Sequence, residues 1–178
     1  MSKILLGVTG SAACFKAVAI ASALTKLGHE VQVVLTPAAA RFVTPLQFSC
    51  VTGIRALDDE WAGADPAGMD HISLARWADA LIIAPATADT IGWLAHGMAP
   101  GLLGSLALAF STTGPRAVAP AMNPQMWSNP SVERNIEQLA SDGWQIFGPA
   151  QGDTACGETG PGRFLEADEV VTLALSLL

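Results

Sequence analysis

Five short apolar runs, at 4–8, 31–35, 80–84, 117–119 and 145–147, punctuate the chain. Within each run nearly every position is apolar, so neither face is left polar; such runs suit strands buried on both sides. Between them apolar residues recur at three- and four-residue spacing, the period of a helix. That spacing predicts helices over 12–27, 131–141 and 166–177, and a short one over 71–77. It predicts helix alternating with small-residue turns over 90–96 and 102–110, and short helices or turns over 36–43 and 45–51. Gly28 and Gly143 stand just past two helix ends, and Asn129-Pro130 opens the helix at 131–141. Residues 56–70 are polar, glycine-containing and irregular, and read as a surface loop.

Strand, turn, helix and strand follow one another within about 35 residues at the start, the opening of a nucleotide-binding sheet. Strands and helices then alternate, with 145–147 as the last strand. The expected fold is α/β: a three-layer αβα, Rossmann-like (flavodoxin-like) parallel sheet in a single domain, 1–178, carrying a flap at about 150–165. Ligands of such sheets lie beyond the carboxyl ends of the strands. Those ends are Thr9-Gly10-Ser11, Thr36, Pro85 to Thr90, and Pro120-Ala121-Met122-Asn123. The unusual motifs therefore gather on one edge, apart from His71 and the glycine-rich stretch 155–164.

Bulk composition narrows the partners. Apolar residues make up 51% of 178 and charged residues 14%, an excess that oligomerisation would bury. Net charge is −7 with no basic cluster, which argues against nucleic acid and anionic membrane. No run of about 20 apolar residues occurs, despite a mean hydropathy of +0.40. The start of the chain lacks the apolar core and cleavage site of a signal peptide. Three scattered cysteines, Cys14, Cys50 and Cys156, fit neither a metal signature nor a disulfide framework, and free thiols suit a reducing cytoplasm. Cys14 and Cys50 sit in apolar contexts and read as core.

Several residues carry candidate chemistry. Gly10, Ser11 and Ala12 offer amides and a hydroxyl at a helix start, either for a mononucleotide phosphate or simply as a turn capped by Ser11. The sequence is not GxGxxG, and Thr36 stands where a dinucleotide fold needs an acid, which disfavours NAD and leaves a flavin mononucleotide open. Thr87, Ala88, Asp89 and Thr90 follow a buried strand, and either cap the next helix or face a ligand. His71 is either a surface residue or an acid–base group near neutrality. His29 and His96 fall at helix ends and suit structural roles. Asn123 presents an amide at a fixed place, or caps the helix opened by Pro124. Met122, Met126 and Trp127 suit packing against a flat ring or a neighbouring subunit. Cys156 on a glycine-rich flap meets a ligand rather than core. Glu158 and Arg163 either pair to close the flap or leave Arg163 to face an anion.

Four motifs then stand together: Thr9-Gly10-Ser11-Ala12; His71-Ile72-Ser73-Leu74 with Trp77-Ala78-Asp79; Pro120-Ala121-Met122-Asn123 with Met126-Trp127; and Ala155-Cys156-Gly157-Glu158 with Gly160-Pro161-Gly162-Arg163. With them the chain resembles the flavin-dependent cysteine decarboxylases, and among these the phosphopantothenoylcysteine decarboxylases, from about Lys3 to about Leu175. The resemblance implies FMN, with Gly10, Ser11 and Ala12 near its phosphate and Thr36, Thr87, Ala88, Asp89, Thr90 and Ala121 alongside. It implies catalytic roles for His71 as base, Asn123 on the substrate carboxylate and Cys156 as proton donor. Met122, Ala155, Gly157, Arg163 and Phe164 would line the substrate, Phe164 standing where these enzymes commonly have methionine. The implied reaction takes 4'-phosphopantothenoylcysteine to 4'-phosphopantetheine in coenzyme A synthesis: FMN-dependent thiol oxidation, loss of CO2, and re-reduction of the enethiolate. It also implies a homotrimer, or a dodecamer of trimers, with His71 serving a neighbour's flavin, and a phosphopantothenoylcysteine ligase as a domain or separate partner. Two other readings are a peptidyl-cysteine decarboxylase of peptide natural products and a non-catalytic flavin-binding regulatory subunit. Ala121 and the Ala-Cys-Gly flap oppose the first; retention of His71, Asn123 and Cys156 opposes the second.

Overall fold

Strands β1 (Lys3–Val8), β2 (Glu30–Leu35), β3 (Ala80–Ala86), β4 (Arg116–Pro120) and β5 (Gln145–Ile146) form one parallel sheet in the order 2-1-3-4-5. This is the flavodoxin-like order that the alternating strands and helices predict. The computed structural model describes residues 1–61 and 69–178.

The continuous apolar runs are buried on both faces because successive side chains point to opposite layers. Ile4, Leu6, Val8, Val33, Leu35 and Ile82 face one layer, made by α1 (Cys14–Lys26), α2 (Pro45–Thr52) and, after the sheet, α8 (Ala167–Leu177). Leu5, Val34, Leu81, Ile83 and Val118 face the other, made by α3 (Asp70–Trp77), α4 (Ala88–Ala95), α5 (Gly101–Ala109) and α7 (Pro130–Ser141). A short α6 (Pro124–Trp127) links β4 to α7. Gly28 and Gly143 follow α1 and α7 with φ of +89° and +88°, the left-handed ends the sequence signals.

Three expectations change. Helix α1 starts at Cys14, two residues later than its apolar period, because the chain turns through Ser11–Ala13 first. Residues 62–68 of the predicted loop at 56–70 lie outside the described residues; at its end Asp70 already opens α3, and near its start Leu57 bridges to β2, its amide donating to the Val33 carbonyl and its carbonyl accepting from the Leu35 amide. The strand at 145–147 is not the last. Beyond it β6 (Ala150–Asp153) and β7 (Thr159–Arg163) form an antiparallel hairpin, built from the glycine-rich stretch read as a flap. Glycine, proline and charge hide this hairpin from any apolar alternation; backbone pairing alone makes it.

Candidate active site

A cavity of about 910 Å3 opens where the strand order reverses, beyond the carboxyl ends of β1 and β3. Thr9 joins those two ends. Its hydroxyl donates to the Pro85 carbonyl (2.8 Å) and accepts from the Thr87 amide (3.0 Å), and the side chain is buried. Gly10 follows because nothing larger fits: a Cβ there would lie 2.6 Å from the Ala38 Cβ. Ser11 Oγ accepts from the Ala13 amide (3.2 Å) and shapes the turn into α1. Thr87 caps α4, its Oγ1 accepting from the Thr90 amide (3.2 Å), and Thr36 Oγ1 accepts from the Ala39 amide (3.1 Å). The amino ends of two helices and three hydroxyls make a donor-rich end suited to a phosphate. Phe15, Trp93, Ala121, Met122 and Met126 make apolar walls suited to a flat ring.

The hairpin closes the remaining side. The Met122 amide donates to the Gly162 carbonyl (3.0 Å), which docks the base of β7 on the loop after β4. The hairpin's turn, 154–158, carries Cys156. There the Thr154 amide and hydroxyl both donate to the Glu158 carbonyl (2.9 and 2.8 Å), and the same hydroxyl oxygen lies 3.0 Å from Cys156 Sγ. Asn123 caps α6: its Oδ1 accepts from the Met126 amide (2.8 Å), which leaves Nδ2 to donate to Glu158 Oε2 at 3.4 Å.

Two cations, Lys16 and Arg163, reach the cavity wall and share Glu166. Lys16 Nζ lies 2.9 Å from one carboxylate oxygen and the Arg163 guanidinium binds the other. Lys16 above all, with Arg163, holds the Glu166 carboxyl below its ordinary range. A depressed carboxyl keeps this tie intact above that range and loses it only as pH falls through the lowered value. Cys14 is set apart from Cys156: burial pushes its thiol up, and its Sγ donates to the Thr9 carbonyl (3.0 Å).

The Flavoprotein family matches residues 1–178. The chain belongs to that family. It is 47% identical over 171 residues to the "Coenzyme A biosynthesis bifunctional protein CoaBC" of Vibrio vulnificus (strain YJ016), a match covering 96% of this flavoprotein and 42% of that relative. The chain thus spans less than half the length of the curated relative it matches. Among solved structures, a cysteine-to-serine mutant of a PPC decarboxylase, complexed with pantothenoylaminoethenethiol, superposes with a TM-score of 0.89 at 32% identity, covering 98% of this chain and 97% of the other. The FMN-dependent cysteine decarboxylase SpaF superposes with a TM-score of 0.82 at 32% identity, covering 99% and 98%.

Within the flavoprotein the cavity gathers Gly10, Ser11, Ala12, Thr36, Thr87, Ala88, Asp89, Thr90, Ala121, Met122, Asn123, Ala155, Cys156, Arg163 and Phe164. Gly157 adjoins it in the hairpin turn. His71 is not among the lining residues; it lies half-buried at the start of α3, and its Nδ1 has no hydrogen-bond partner among the described residues. Phe164 lines the cavity while being buried in the same apolar cluster as residues of α1 and α8. Of the two readings for Glu158 and Arg163, the pairing does not form: Arg163 binds Glu166 at the start of α8, and Glu158 turns to Asn123. Ser11 does not cap α1, whose N-cap position is Ala13. Cys50 is exposed, not core, because α2 buries Phe48 and Thr52 instead. Sequence reasoning misses Lys16 and Phe15, although a helical period from Ser11 and Ala12 leads to both. His29 and His96 stay structural, bonding to the Ser2 amide and to the Gly92 carbonyl respectively.

Hairpin docking depends on Gly162. Its φ is +114°, and a Cβ would lie 2.5 Å from the Met122 carbonyl oxygen. Gly162→Ala is expected to cost more than about 2 kcal/mol and to lower the melting temperature by roughly 4–8 °C. The hairpin should become the first site of limited proteolysis; an unchanged cleavage pattern would show that docking does not rest on this contact.

Proposed function

We propose that this flavoprotein decarboxylates 4'-phosphopantothenoylcysteine to 4'-phosphopantetheine, the reaction suggested by its likeness to CoaBC and to PPC decarboxylase. One observation carries the reading: the hairpin turn brings Cys156 to the cavity shared by Asn123 and the cradle of β1 and β3. A protein that only bound a nucleotide would have no use for a thiol and a fixed amide on the far side.

FMN fits the cradle's donors and apolar walls. Gly10, Ser11 and Ala12 would hold its phosphate, with Thr36 and residues Thr87, Ala88, Asp89 and Thr90 beside it, and Ala121 against its ring. When bound, FMN supplies reversible hydride acceptance, which makes loss of the carboxylate feasible. The chain's own residues do the rest. Asn123 is held by the Met126 amide so that only its donor end faces substrate, which suits a carboxylate. Cys156 supplies a proton to the product. Arg163, steadied by Glu166, offers a cation to the substrate's anionic part, and Met122, Ala155, Gly157 and Phe164 bound its path.

His71 acts on a neighbouring copy in this reading, as the base that takes the thiol proton. Its absence from the lining of its own cavity supports that role, as do Phe15 and Met126 at the cavity, which are 66% and 47% exposed and suit burial in a trimer or a dodecamer of trimers. CoaBC is bifunctional and longer than this chain, which supports a ligase domain or protein as partner. No described helix is long and apolar enough to cross a membrane, and the exposed thiols Cys50 and Cys156 suit a reducing cytoplasm.

The test is incubation of the purified, FMN-loaded protein with phosphopantothenoylcysteine under mass spectrometry. Loss of carbon dioxide with formation of saturated 4'-phosphopantetheine is expected. Flavin binding without turnover would sink the reading in favour of a peptide substrate or a binding role.

A further inference from the structure

We propose that the chain carries a second ligand site, at the opposite edge of the sheet from the cradle, where Arg116 binds a short apolar monocarboxylate. The site lies outside the reaction above and does not rest on it.

Arg116 opens β4, so it stands at the amino end of the strands, whereas the cradle lies beyond their carboxyl ends. Two residues on, Val118 packs into the layer of α4, α5 and α7. The period of a strand puts the Arg116 side chain on that same face. A cation is expensive to bury there, yet Arg116 is only 8% exposed. Its guanidinium lies over the Trp144 ring, 5.3 Å from the centroid, and its Nη2 donates to the Asp142 carbonyl just after α7. Those are the guanidinium's only partners among the described residues, and Nε is buried with no acceptor. No described carboxylate neutralises it: that of Asp142 is exposed and accepts from Gln138 Nε2 (2.9 Å) instead.

A cation used only to close α7 needs that one carbonyl and could keep its other donors in water. Arg116 instead lines a cavity of about 340 Å3, at the lower end of the size of small-molecule pockets. A buried donor without an acceptor, in a cavity of that size, marks a place for an anion.

The walls narrow the class of anion. Leu94, Ala107 and Trp144 are the less exposed walls, and Met98 and Leu108, each 60% exposed, make an apolar rim. The Gly97 and Met98 amides are already spent on the Leu94 and Trp93 carbonyls (3.1 and 2.9 Å). Beyond the guanidinium, the lining adds two side-chain donors, the Thr112 hydroxyl and the Trp144 indole N–H. The two oxygens of a carboxylate suit so small a set. A phosphate would leave charged oxygens bare against apolar walls. The carbonyl ends of α4, α5 and α7 also meet here. They make an unpaired cation tolerable, and they oppose an incoming dianion more than a monoanion.

Equilibrium dialysis of the FMN-loaded protein against radiolabelled hexanoate tests this, with hexanamide as the uncharged match. One saturable hexanoate site per chain is expected, with hexanamide bound at least about 10-fold more weakly. Arg116→Met should weaken hexanoate by at least about 10-fold, and Arg116→Lys, which keeps the charge but loses the fork, by less. Arg116→Met should keep its melting temperature, because an apolar side chain replaces a half-paired buried cation at little cost. Leu108→Glu, at an exposed rim position, keeps Arg116 and sets a like charge at the mouth; it should weaken hexanoate too. Arg163→Gln, at the cradle's cavity, should bind hexanoate as wild type does. Binding lost in Arg163→Gln but kept in Arg116→Met and Leu108→Glu would place the anion in the cradle's cavity and overturn the proposal. Equal retention of hexanamide, or no saturable binding of hexanoate, overturns it as well. An Arg116→Met that melts well below wild type yet binds hexanoate normally would make Arg116 a brace for α7 and nothing more. Each result leaves decarboxylation to be judged separately by the carbon dioxide assay.

Discussion

Cys156→Ser should release carbon dioxide at near the wild-type rate and then stop. Saturated phosphopantetheine is expected to fall at least about 100-fold, the usual contribution of a positioned acid, with the enethiol taking its place. The residue sits in the hairpin turn, exposed, with its Sγ 3.0 Å from the Thr154 hydroxyl. Its one side-chain hydrogen bond stays within the hairpin turn and shapes no part of the cradle, so loss of the thiol is expected to leave nucleotide binding and the first half intact. Serine fits the same space but gives up its proton far less readily than a thiol. The experiment is a single-turnover reaction followed by mass spectrometry, with trapped carbon dioxide counted in parallel. Saturated product at the wild-type rate would remove Cys156 from the mechanism.

His71→Ala should lose at least about 100-fold of overall turnover, yet mixing it with a second inactive variant should restore activity. If His71 serves a neighbour, each site joins Asn123 of one copy to the histidine of the next. Co-expressing His71→Ala with Asn123→Ala then rebuilds whole sites, about one in four for random mixing in a cyclic oligomer. If His71 serves its own copy, no mixed site is whole and activity stays at background. The half-buried ring, its Nδ1 without a described partner and its absence from the cavity lining all favour the first outcome.

The sheet is legible in the sequence because 4–8, 31–35 and 80–84 are apolar at nearly every position, which only two-sided burial explains. Its ligand edge follows from topology alone, and Gly10, Thr87 and Asn123 duly meet there. The hairpin reads as a flap and no more. Ala150 to Asp153 and Thr159 to Arg163 have no alternating apolar face, and their docking rests on a glycine pressed against a carbonyl, which no periodicity reports. Partner choice among charges is equally hidden. Glu158 and Glu166 are both near Arg163 in sequence, and strand direction decides between them: Glu166 follows β7 into α8, whereas Glu158 lies at the turn beside Asn123. Nothing in the spacing around His71 tells whether it serves its own cavity or that of a second copy, because the sequence of one chain carries no signal for either.

Thr9, buried between two strand ends and bonded to both, fixes how this molecule divides its time between partners. A cradle whose walls are already stitched has little to rearrange when a nucleotide arrives, and must pull β1 away from β3 to widen. A nucleotide bound there would be expected to exchange slowly and to outlast many substrates.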